Sequence, residues 1–87
     1  MNTYLLTIST PDGNLLQQQV AALFLRGGDG DLAVLAGHTP FVTTVQAGEC
    51  RVEFEDGSDR TGTTDGGLLT VSADGVTLLS GTFRWND

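Results

Sequence analysis

Gly30-Asp31-Leu32-Ala33-Val34-Leu35-Ala36-Gly37-His38-Thr39-Pro40 is the stretch on which the fold class turns. Leu32 to Leu35 reads as a short apolar strand held between two glycine turns, since Gly37 and Pro40 would interrupt any helix begun there within two turns. Pro40 fixes its own φ and pushes Thr39 out of the helical region, while Gly37 is free to take positive φ. Ala36 to Pro40 is therefore expected to be a bent loop that displays His38.

Upstream of that strand lies the one segment with two readings. Leu16, Val20, Leu23 and Phe24 fit helical spacing about as well as Val20, Ala22 and Phe24 fit a strand, so periodicity alone leaves Leu15 to Arg26 open. Its neighbours are strands and it runs into Gly27-Gly28, which favours a single long strand. Before it, Thr3 to Ser9 alternates Tyr4, Leu6 and Ile8 with Thr3, Leu5, Thr7 and Ser9, the pattern of a half-buried strand, and Pro11-Asp12-Gly13 turns the chain.

Downstream, Phe41 to Gln46 carries Phe41 and Val45 on one face and Val42 on the other, and Gly48 ends it. Cys50, Val52 and Phe54 then alternate with Glu49, Arg51, Glu53 and Glu55. Asp56-Gly57 is expected to form a type I′ hairpin, returning through a weak, polar strand from Arg60 to Asp65 that suits an edge. Gly66-Gly67 leads into Leu68 to Ala73, Asp74-Gly75 is read as a second hairpin turn into Val76 to Ser80, and Thr82 to Trp85 adds an edge strand. About eight to ten short strands at this spacing predict an all-β fold, a two-sheet β-sandwich or flattened barrel occupying residues 1–87 as one domain.

Composition agrees. The chain has 87 residues, 12 glycines and no lysine. A chain of that size buries only about 60 to 65 % of its unfolded surface, so a single core must serve the whole molecule. Eleven acidic residues against four arginines leave a formal charge of -7, which repels phosphate backbones and argues against nucleic-acid binding. The single cysteine, Cys50, cannot form an internal disulfide, and the N-terminus lacks a secretory pattern, so the expectation is a reducing cytosol. No apolar run approaches the roughly 20 residues of a membrane-spanning helix, so direct membrane insertion is not expected.

The search for chemistry gives no reactive constellation. Gly28-Asp29-Gly30-Asp31-Leu32-Ala33 has the spacing of a dinucleotide loop but lacks the helix that must follow it. Asp29 with Asp31, and Asp56 with Asp59, lack the remaining ligands of a calcium loop, and one histidine cannot build a zinc site. No nucleophile pattern accompanies His38, so catalytic, cofactor, metal and small-molecule sites are all expected to be absent. His38 is either a loop residue fixed by a backbone hydrogen bond or a contact for a partner. Cys50 reads as a small buried hydrophobe, and Phe83 with Trp85 either as aromatics that close one end of the sandwich, the favoured reading, or as anchors for another subunit.

Gly30 to Pro40 resembles the Gly-Glu-Leu-Gly-apolar-x-Pro-Gly-His-x-Pro segment of the ε subunit of F-type ATP synthases. The resemblance continues through Thr43, Gly48 and Arg51, then Gly66-Gly67-Leu68-Leu69 with Val71, and Val76-Thr77-Leu78-Leu79. It spans nearly the whole chain and concerns the N-terminal β-sandwich domain of that family. Ala36 departs from it, standing where a proline is common. The resemblance implies a ten-stranded, non-catalytic sandwich that docks on the γ subunit and the c-ring of a proton-translocating rotor, peripheral to the cytoplasmic face of a bacterial inner membrane. By position it implies a c-ring contact through Asp29, Asp31 and His38 and a γ contact through Thr10, Phe41, Val42 and Thr43. Family members continue into an inhibitory helical hairpin, so a chain of 87 residues is expected to lack that regulation. The alternative is a stand-alone β-sandwich module for a protein or glycan, recognising it through the loop at His38.

Overall fold

The structure, a computed structural model, describes residues 2–86, and every element in it is a strand. In chain order these are β1 (Tyr4–Thr10), β2 (Gly13–Val20), β3 (Ala22–Gly27), β4 (Gly30–Leu35), β5 (Phe41–Val45), β6 (Gly48–Glu53), β7 (Asp59–Thr64), β8 (Gly67–Ser72), β9 (Gly75–Ser80) and β10 (Phe83–Trp85). Pairing follows the order β10-β7-β6-β3-β5-β8-β9-β1-β2, with β4 on the other side of β3. One layer is thus β10, β7, β6, β3 and β4, and the other is β5, β8, β9, β1 and β2. They are joined at a corner by the single bridge Gly27↔Val45, beside which the Gln46 N–H donates to the Arg26 carbonyl at 2.9 Å.

The core is built by alternation on both layers. Leu6, Ile8, Leu69 and Leu78 from one, and Leu23, Val34, Cys50 and Val52 from the other, are essentially inaccessible to solvent. Burial pushes the Cys50 thiol up to about 11, as expected of an inert packing group. Tyr4 ties the layers together, its buried hydroxyl donating to the Val34 carbonyl at 2.7 Å, and burial raises that phenol above its ordinary range.

Four local expectations change. Leu15 to Arg26 is two strands, because the chain bends at Ala21, where the N–H donates to the Glu53 carbonyl, and so crosses from one layer to the other. The bend shifts the alternation. Leu23 and Leu25 enter the core, while Phe24 faces outward under the Arg51 guanidinium, 4.4 Å from its ring centre. The turn at Asp56-Gly57 is not type I′, which would need positive φ at Asp56 as well as Gly57; no described non-glycine residue has it. Instead the Phe54 N–H donates to the Ser58 carbonyl and closes a three-residue turn, Glu55-Asp56-Gly57, with Gly57 at φ +90°.

The later hairpin turns at Ala73-Asp74, and Gly75 begins β9. Ser72 sets it by accepting the Asp74 N–H and donating to the Gly75 carbonyl, as Thr10 does with Asp12 and Gly13 in the first hairpin. Finally, β7 is not an edge, since it lies between β6 and β10. Its Gly62 is what admits the Phe83 ring, because a Cβ there would sit 2.4 Å from the ring.

Candidate functional site: an uncharged sheet face between acidic ends

Charge is segregated by layer. The five strands β1, β2, β5, β8 and β9 contain no charged residue, whereas β3, β4, β6, β7 and β10 carry all four arginines with Asp31, Glu49, Glu53 and Asp59. The strand charges therefore cancel within one layer. Arg51 pairs there with Glu53 at 2.6 Å and Asp59 at 3.5 Å, and Arg26 with Asp31 at 3.4 Å.

The remaining seven acids account for the net charge of -7. Six of them, Asp12, Asp29, Glu55, Asp56, Asp65 and Asp74, lie in turns, and Asp87 lies outside the described residues. Because successive strands reverse direction, Asp12, Asp29 and Asp65 cap one end of the molecule and Glu55, Asp56 and Asp74 the other.

The outer face of the uncharged layer is a continuous field of small polar and aliphatic side chains. Register lines up Val42, Thr70, Thr77, Thr7 and Gln17 across five strands, and beside them Thr44, Leu68, Leu79 and Ser9. Val42, Leu79 and Leu68 are 63 %, 48 % and 38 % exposed. Near the first acidic end, Leu68 and Leu79 meet Thr10 and Pro11 around an apolar depression of about 470 Å³. A face left to water gains nothing by excluding every charge, but one that another surface covers avoids desolvating unpaired charges.

The residues singled out from the sequence are regrouped by this geometry. Asp29 and Asp31 lie at the first acidic end and are exposed, but His38 follows the far end of β4. Four residues of strand separate Asp31 from Leu35, about 13 Å, so the three do not form one cluster. Of the other set, Val42 faces outward and Thr10 rims the depression, whereas Phe41 and Thr43 turn to the side of Val45 and Leu69, with Phe41 packed on the core. His38 is fixed by its backbone: Nδ1 donates to the Leu35 carbonyl at 2.5 Å, and Tyr4 lies edge-on at 5.3 Å. No group of three or more metal-ligating side chains occurs among the described residues.

At the first acidic end, a hydrogen-bond relay ties the two connections that run between layers there. The Gly66 N–H donates to Thr64 Oγ1, whose hydroxyl reaches Ser80 Oγ; Ser80 donates to the Thr82 carbonyl, and the Thr82 N–H donates to Asp65 Oδ1 at 2.9 Å. That last bond, opposed by partial desolvation and helped by Ser80, holds the Asp65 carboxyl below its usual value. A carboxylate with a depressed folded pKa contributes stability above its unfolded value and loses it as pH falls through the folded one. Asp65→Asn is therefore expected to flatten the acid limb of stability as pH falls through and below the ordinary carboxylate range, read as urea midpoint against pH. A limb as steep as that of the parent chain would show that the relay does not depend on the charge.

Sequence comparison decides what this arrangement belongs to. Residues 3–86 match the model of the β-sandwich domain of the ATP synthase delta/epsilon chain. The chain belongs to that family. It is 32 % identical over 83 residues to the sodium-ion-specific ATP synthase epsilon chain of Acetobacterium woodii, covering 95 % of this chain and 62 % of that one. Against the ATP synthase epsilon chain of Bacillus velezensis it is 35 % identical over 80 residues, 92 % of this chain and 60 % of the relative.

Among solved structures it superposes on a chain of the Euglena gracilis mitochondrial ATP synthase OSCP/F1/c-ring assembly with a TM-score of 0.90 and 30 % identity, covering 95 % of this chain and 53 % of that one. A match to the central stalk and c-ring structure of the Tetrahymena thermophila enzyme, at 15 % identity and a TM-score of 0.79, shows the shared fold. The chain thus spans between about half and three-fifths of the length of these relatives. The all-β sandwich is the family's own architecture.

Proposed function

We propose that this chain is a non-catalytic central-stalk component of an F-type ATP synthase rotor, gripping two neighbours so that they turn together. The observation that carries the reading is the charge segregation: one sheet face stripped of charge, bounded by acidic turn ends. In this reading the γ subunit covers the uncharged face around Val42, Leu68 and Leu79, with Thr10 at its rim. The acidic end carrying Asp12, Asp29 and Asp65, with Asp31 beside it, meets basic loops of the c-ring. His38 is left out of that contact, because it follows the opposite end of β4.

Torque without slippage requires an interface of at least standard size, on the order of 1,200 to 2,000 Å² in total. The site of action is the membrane-peripheral face of the complex, cytoplasmic in a bacterium. In this reading the coupling ion, taken as the proton in most such rotors and sodium for the relative in Acetobacterium woodii, is set by the c-ring and not by this chain.

Co-expression tests the reading. The chain is expected to co-elute with the γ subunit of its own complex at micromolar concentration, and separate elution of the two would overturn the assignment.

A further inference from the structure

The strand order leaves open the outer sides of β10, β4 and β2, and also most of β5, which meets β3 only at Gly27↔Val45; β5 is five residues long, follows directly on Pro40 and has its Val45 end already paired. β10 and β4 are guarded against strand addition. β10 has only three residues, with the Arg84 charge in the middle of them, too short to template a further strand. β4 carries Asp31, and its Leu35 and Val34 carbonyls accept from His38 and Tyr4. Charges and engaged backbone groups are how sheets protect such edges.

β2 has neither protection. It runs for eight residues, Gly13-Asn-Leu-Leu-Gln-Gln-Gln-Val20, with no charge and no proline, and its register is broken only once, opposite Ile8 and Ser9. Alternate N–H and C=O groups along it face away from β1 with no strand opposite. Gln18 sits opposite Leu6, a core residue, and is nevertheless exposed.

Beside this edge runs a groove of about 850 Å³ between β2 and the β6–β7 turn, lined by Gln18, Gln19, Phe54, Glu55, Asp56 and Asp59 among others. Phe54, half-buried, supplies an apolar floor. Asp56 is held by Ser58 and Asp59 by Arg51, but Glu55 has no hydrogen-bond or ion-pair partner among the described residues. The Arg60 guanidinium at this groove stacks on Trp85, 4.0 Å from the ring centre.

We propose that the β2 edge and this groove together receive an extended peptide segment bearing basic side chains, added to the sheet as a further strand. The backbone edge supplies main-chain hydrogen bonds and the groove selects alternate side chains, an aliphatic one over Phe54 and a cationic one toward Glu55. A second copy of this chain is the wrong occupant on charge: it brings a net -7 and sets its own Asp12 turn and acidic groove beside the first. The inference uses only the edge, the groove and their charge, and it does not depend on the rotor reading.

The probe is a synthetic peptide of about ten residues, alternating threonine and valine with two arginines, long enough to pair all of β2. Titrated into the 87-residue chain, it is expected to slow amide exchange along β2. Glu55→Lys is expected to weaken its binding by up to about fivefold, as for loss of one exposed ion pair. The same peptide N-methylated at alternate residues is expected not to bind. Equal binding by the N-methylated peptide, protection at β4, β5 or β10 instead of β2, or β2 protection that grows with protein concentration in the absence of peptide would each overturn the proposal.

Discussion

Gly67→Ala unfolds at a urea concentration roughly 2 M below the parent chain, the shift expected from a loss of about 3 kcal/mol in a small domain. The cause is backbone against backbone. A Cβ built at Gly67 falls 1.9 Å from the Leu79 carbonyl oxygen, 2.9 Å from its carbon and 3.1 Å from the Ser80 Cα. A flexible side chain could swing away from a new methyl group; a carbonyl in a sheet cannot. The chain must then open the pair Gly67↔Ser80, where β8 starts and β9 ends.

Ser80 is also the middle member of the relay through Thr64, Thr82 and Asp65, so moving it disturbs both crossovers at that end. Against a total stability of about 4 to 13 kcal/mol for a domain of this size, that loss is a large fraction. Gly27→Ala is the matched control. Its Cβ meets only ordinary contacts at 3.5 to 3.8 Å, so its midpoint is expected to move by less than about 0.5 M. Equal shifts for the two variants would show that general strand propensity, and not the Leu79 carbonyl, sets the cost.

The Gly66-Gly67 pair also shows which parts of the structure the sequence exposes. Its position before a strand was legible, as was the alternation of Tyr4, Leu6 and Ile8, because both are local signals that period and turn chemistry carry. The bend at Ala21 was not. Nothing in Leu15 to Arg26 marks a break, and the bend is imposed from outside by Glu53, whose carbonyl takes the Ala21 N–H from 32 positions along the chain.

The turns failed for a different reason. Asp56-Gly57 has the composition of the two central residues of a type I′ hairpin, yet aspartate in each described turn keeps negative φ and only the glycine goes positive. The site followed the same logic. Each strand's lack of charge is visible in the sequence, but only the pairing order β5-β8-β9-β1-β2 turns five separate absences into one surface. Conversely, Phe41, Val42 and Thr43 are adjacent in sequence, but a strand sends Val42 out and its two neighbours in.

That surface leads to the largest functional effect expected. Leu79→Asp weakens capture of the γ subunit at least about thirtyfold, corresponding to about 2 kcal/mol, the low end for a buried charge without a partner. Leu79 is 48 % exposed, so the free chain keeps the new carboxylate in water and folds with little change in stability. In the complex the same group is surrounded by Leu68, Ser9 and the depression at Thr10 and Pro11, with no arginine in any of the five strands to meet it. The penalty therefore falls almost wholly on association. Ala33→Asp, on the outer face of the charged layer, adds the same charge to the same fold and is expected to leave capture unchanged. Calorimetric titration of γ against the two folded variants separates a local desolvation effect from a general response to net charge. If both lose affinity together, long-range repulsion governs docking; if neither does, the uncharged face is not where γ binds.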